Sequence, residues 1–172
     1  MANMGLDALK ANLSNPQMTY LWEIIIPTPI GDGEVETFQL RAQSTQIPSR
    51  DQGQIIIPYK QTPGIAVPGK LSFTHTWDCT FIEGEDQKVW QAIYSWMQKI
   101  VNNVTGVGAG DSSIKTNIYL TELSRAGSIT LKLKILGCYV MKVGQVALDY
   151  KEGSGFVEYP VTFSFDSVET VT

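Results

Sequence analysis

Apolar and polar residues alternate with a period of two over much of this chain, and a period near 3.6 governs a single long stretch. The clearest alternation covers residues 71–81. Leu71, Phe73, Trp77, Cys79 and Phe81 fall on one side, and Ser72, Thr74, Thr76, Asp78 and Thr80 on the other. Successive side chains of a strand point to opposite faces, so this pattern predicts a half-buried strand, its apolar side interrupted by His75. Alternation, or a high content of β-branched and aromatic residues, predicts further strands over 20–26, 35–47, 114–123, 128–136, 138–143, 146–150 and 157–165. Ser124-Arg125-Ala126-Gly127 supplies a hairpin turn, and Gly137 marks a bulge or bend. The helical period belongs to 84–103, where Val89, Ile93, Trp96, Met97 and Ile100 recur at three- and four-residue steps. Glu83, Glu85 and Asp86 stand near the start of that helix, where its dipole favours acids. A short helix is expected over 5–15, closed by Pro16.

These elements sum to a mainly β chain of the α+β class. The expected form is an antiparallel β-sandwich or barrel with one packed amphipathic helix and an extended arm. Residues 1–172 make a single domain, with an N-terminal segment over 1–16, a protruding hairpin over 51–70 and the helix over 84–103.

Two triplets break the alternation. Ile24-Ile25-Ile26 and Ile55-Ile56-Ile57 are apolar at consecutive positions, so both faces of each strand need cover. A central strand beneath the helix suffices for the first. The second is followed by Pro58, Pro63, Gly64 and Pro68, which fit an edge strand or an arm and not a sheet centre. An arm this apolar in water is an aggregation hazard. Ile55, Ile56, Ile57, Pro58 and Tyr59 are therefore expected to contact another subunit, the alternative being an arm folded back on its own body.

Composition sharpens this reading. Hydrophobic residues make up 43% of the 172 residues and charged ones 17%, against roughly 25% charged in an average soluble protein. Some of the surface is thus expected to lie out of water. The net charge of −4 and a pI of about 5.0 argue against tight binding to phosphates. No run reaches the roughly 18 apolar residues of a membrane span, and the first residues do not read as a secretory signal.

Catalytic sets are scarce. The lone histidine, His75, has no nucleophile-elbow motif to serve and reads as a packed or interface residue. Cys79 and Cys138 lack metal-ligand spacing and read as buried thiols. The glycines of 106–110 follow a helix and lack the Lys-Ser ending of a phosphate loop. Lys132 and Lys134 make at most a small basic spot. The aromatics Trp77, Trp90, Trp96, Phe73, Phe81, Phe163 and Phe165 are assigned mostly to core faces. No cofactor or metal is implied. A ligand-binding β-barrel is the alternative from another class; it leaves the isoleucine arm without a purpose.

The ordered set Pro68-Gly69-Lys70-Leu71-Ser72-Phe73, Trp77-Asp78-Cys79-Thr80-Phe81, Trp90, Trp96 and Ile100 resembles the central region of tail tube proteins of contractile-tailed bacteriophages. Residues 41–48 resemble that family's strand before its long arm, and 145–150 and 159–166 its last two strands. The resemblance implies a subunit of six-fold rings that stack into a hollow tube inside a contractile sheath. It implies no enzymatic activity and no membrane. The implied partners are other copies of the chain, the sheath protein, baseplate and tail terminator proteins, and DNA in transient passage. The location implied is the virion, after assembly in the host cytoplasm. A type VI secretion tube, another contractile injection system or a baseplate tube initiator are the related alternatives. Ser72, Thr74, Thr76, Thr80, Thr162 and Ser164 are candidates to face the lumen.

Overall fold

A computed structural model of the chain describes residues 16–27, 35–72, 74–146, 148 and 155–171. The helix expected over 5–15, Phe73 and most of the strand expected over 146–150 lie outside them. In chain order the elements are β1 (Trp22–Ile25), a short helix (Val35–Arg41), β2 (Ala42–Thr45), β3 (Asp51–Tyr59) and β4 (Thr62–Ser72). Then come β5 (Thr76–Ile82), a long helix (Lys88–Ile100), a single helical turn (Asp111–Ile114), β6 (Thr116–Leu123), β7 (Ile129–Val143), β8 (Glu158–Ser164) and β9 (Ser167–Thr170).

All strand pairs are antiparallel, in the order β1-β6-β7-β8-β5-β2, with β9 also on β7. β7 is 15 residues long and bends between two groups of partners. Its first part pairs with β6 and β9, and Tyr139–Val143 pairs with β8. The bend is at Gly137, where φ is +67° and the β6–β7 register shifts between Thr116 and Ile118. The sheet does not close into a barrel among the described residues.

The core lies between the apolar sheet faces and the long helix. Val89, Ala92, Ile93 and Trp96 of the helix are buried with Trp77, Cys79 and Phe81 of β5 and Val161 and Phe163 of β8. The Trp77 and Phe163 rings lie 5.4 Å apart, and Trp96 sits 6.0 Å from the same Phe163. Each of the larger side chains, such as Val89, Ile93 and Phe163, contributes about 1.5–3 kcal/mol from removal of apolar surface from water. The turn 124–127 joins β6 to β7, with Gly127 N–H donating to Ser124 O over 2.9 Å.

Four sequence expectations are corrected. Residues 35–47 are not one strand: the first seven form a helix that buries Phe38, which meets Phe81 edge-on at 5.3 Å. Residues 71–81 are not one strand either. Leu71 and Ser72 end β4, and the chain turns at His75 with φ of 54° before β5 begins. His75 Nδ1 lies 2.9 Å from Phe165 O, and Phe165 N–H donates to His75 O, so the residue that breaks the alternation pins the corner. Among the described residues β1 is an edge strand, paired with β6 alone, yet Ile24 and Ile26 are fully buried. Trp90 is 39% exposed, off the core stripe.

Candidate functional site

β3 and β4 form a two-stranded ribbon separate from the main sheet. Their sequence explains both the pairing and the isolation. Ile55, Ile56 and Ile57 stand opposite Val67, Ala66 and Ile65, so β-branched residues meet across the ladder. Pro58, Pro63 and Pro68 remove N–H groups and keep the ribbon from serving as a sheet interior. The tip turns through Lys60 at φ 49°. Gly64, at φ +79°, stands so close to its partner strand that an added Cβ would lie 2.8 Å from Ile57 O.

Residues directly opposite share a face, so Ile55, Ile57, Ile65 and Val67 line one side of the ribbon and Ile56 and Ala66 the other. Every residue of β3 is exposed: Ile55 by 55%, Ile56 by 63% and Ile57 by 52%, with Ile65 of β4 at 64%. Pro58 and Tyr59 are exposed beside them. The charges of the ribbon, Asp51, Lys60 and Lys70, sit at its base and tip and leave the apolar middle uncharged. Both faces of a long apolar ribbon thus stand in water on a single chain.

A second surface is polar. On the outward face of β5 and β8, Thr76 stands opposite Ser164, Asp78 opposite Thr162 and Thr80 opposite Pro160. Thr162 Oγ1 donates to Asp78 Oδ1 over 2.6 Å, and Thr45 Oγ1 donates to the Asp78 carbonyl over 3.1 Å. β7 adds Tyr139 opposite Ser164 and Lys142 opposite Thr162. Four of the six hydroxyl residues singled out in the sequence therefore share this face. Ser72 ends the arm and Thr74 lies in the corner before β5, so these two do not join it.

Charge inside the molecule is used to start the long helix. Gln87 at its N-cap, φ 51°, makes no side-chain cap. The Glu83 carboxylate does so instead, accepting from Val89 N–H at 3.3 Å and Trp90 N–H at 2.7 Å. Arg41 at the end of the short helix donates to Glu83 over 3.0 Å and to both oxygens of Asp86 over 2.8 Å. The hydrogen bond from Arg41 holds the Asp86 carboxyl down at about 2, and the pairing raises Arg41. Burial pushes the thiols of Cys79 and Cys138 up to about 12. They are inert packing groups at neutral pH. Among the described residues no cluster of His, Cys, Asp and Glu could hold a metal ion.

The sequence reading passed over a second apolar stripe on the long helix. Trp90, Tyr94 and Met97 fall at four- and three-residue steps, one position beyond the buried stripe, and Val101 follows as the extended residue that caps the helix. Trp90 stacks with Tyr94 and with Tyr159 of β8, each at 5.6 Å between ring centres. The signal was the spacing itself, hidden by the stronger stripe beside it.

No protein-family model and no curated protein sequence matches this chain. Solved structures do match. The sheath/tube terminator of PVC, an extracellular contractile injection system, superposes with a TM-score of 0.65 at 11% identity, over 93% of this chain and 99% of its own. The tube-terminating cap of the anti-feeding prophage gives 0.61 at 15% identity over 91% of both chains. A chain of the PVC sheath–tube complex gives 0.57 at 12% identity over 97% of both. The chain has the tail tube fold of contractile injection systems. The likeness is one of fold, since few residues are shared.

Proposed function

We propose that this chain is the structural subunit of a phage tail tube, forming stacked hexameric rings that make a hollow conduit for DNA inside a contractile sheath. The observation that carries the reading is the β3–β4 arm, whose isoleucines stand in water on both faces of the ribbon. Burial against a neighbouring copy removes that exposure and explains a charged fraction of only 17%. The hydroxyl face around Thr76, Thr80, Thr162 and Ser164 suits a lumen wall: with Asp78 and Lys142 beside Thr162, its opposite charges offset and it offers phosphates little to hold. The tube would meet a sheath protein outside and baseplate and terminator proteins at its ends. The role is structural and not enzymatic, in a virion assembled in the host cytoplasm.

The fold neighbours support a second reading, a tube or tube terminator of a non-phage contractile injection particle, because two of them are terminators of such particles. Electron microscopy of the purified protein separates a tube subunit from a terminator, and a capsid or terminase gene beside its own separates a phage tail from another injection particle. Open tubes of stacked rings are expected. Single rings that never stack favour the terminator, and a monomer at high concentration contradicts both readings.

A further inference from the structure

We propose that the groove between the long helix and the end of β7 receives the β3–β4 arm of a second copy of this chain. The proposal rests on the reading of the arm as an assembly element and names the surface that accepts it. The groove measures about 440 Å³ and is lined by Trp90, Tyr94 and Met97 of the second helical stripe, Val101 at the helix end, and Met141 and Val143 of β7. Trp90, Tyr94, Val101 and Met141 are all substantially exposed, an apolar surface that in water calls for cover.

Three observations select the arm as the occupant. Neither the groove lining nor the arm between Asp51 and Lys60 carries a charge, so joining them buries no unpaired ion. Tyr139–Val143 of β7 pairs with β8 on one side and with no strand on the other among the described residues. The groove is thus bounded by an open strand edge, which suits an extended ribbon presenting Ile55, Ile57 and Ile65 on one face. No arm residue lines the groove of its own chain, so the two apolar surfaces of one molecule stand apart. A patch that fits a different patch on an identical copy makes a heterologous contact, which repeats from copy to copy into rings or filaments.

The test uses one variant of each surface. Ile57→Asp disables the arm and Tyr94→Glu charges the groove, both at exposed positions. With circular dichroism unchanged, each alone is expected to raise the concentration needed for assembly by about tenfold or more, since each buries a charge in an apolar contact. Mixed, they retain one intact arm and one intact groove, and native mass spectrometry should show heterodimers that neither forms alone. Ile57→Cys combined with Met141→Cys should link copies into a disulfide ladder, as Cys79 and Cys138 are buried and do not compete. If Ile57→Asp blocks assembly while Tyr94→Glu assembles normally and no ladder forms, the groove is the wrong acceptor and the arm reading stands. If Ile57→Asp itself assembles normally, the arm reading fails and the groove proposal with it. Should Tyr94→Glu misfold, the presence or absence of the cysteine ladder decides.

Discussion

Gly137 occupies a place that no other residue type fills without strain. Its φ of +67° is left-handed, and a Cβ built there would lie 2.0 Å from Oδ2 of Asp166. Its N–H is held by Asn117 Oδ1 at 3.2 Å, and Lys115 pairs with Asp166 at 3.3 Å, so the bend of β7 is fixed from both neighbouring segments. The left-handed conformation costs a residue with a Cβ about 1–2 kcal/mol. Gly137→Ala should therefore lower stability by at least that amount, with displacement of Asp166 adding to it. Urea unfolding followed by Trp fluorescence measures the loss. An unchanged midpoint would mean that β7 does not need this bend.

At the scale of elements, the start of the long helix depends on groups outside it. Glu83 caps it and Arg41 ties Glu83 to Asp86. The Asp86 carboxyl is lowered from 3.8 to about 2 in the folded chain, chiefly by the hydrogen bond from Arg41. A lowered carboxyl stabilises the fold at pH values above its ordinary range and loses that contribution as pH falls through about 2. Asp86→Asn should thus be less stable than the parent at pH 6, and the gap should close between about pH 4 and pH 2. Thermal melts of both proteins across that range check it; a constant gap would show that the Arg41 pairing is not what Asp86 supplies. These elements also show what a sequence makes legible. The core stripe of the helix, the turn at 124–127 and the bend at Gly137 are local, and local spacing and glycine placement reveal them. The helix at Val35–Arg41 is not legible in local spacing, since seven residues are too few to show a helical period, and its one buried anchor, Phe38 on Phe81, is a tertiary contact. The corner at His75 was missed because alternation continues through 71–81 while the chain changes sheets. Trp90 was misassigned because an aromatic residue on an amphipathic helix reads as core until its angular position is counted.

For the whole molecule, the fold divides into a body that buries its own apolar surface and an arm that does not. The body encloses Trp77, Trp96, Phe81 and Phe163 without help. The arm is held by the β3–β4 ladder and exposes Ile55, Ile56, Ile57 and Ile65. The triplet Ile55-Ile56-Ile57 already requires cover on two faces from its sequence, but the covering surface is a property of the folded chain and its neighbours. Sedimentation velocity of the native chain beside Ile56→Asp tests this division most directly. The native chain should sediment as rings or longer assemblies, and the variant as a folded monomer with the same circular dichroism. Identical assembly by the two proteins would contradict the central claim that the arm completes its burial on another copy.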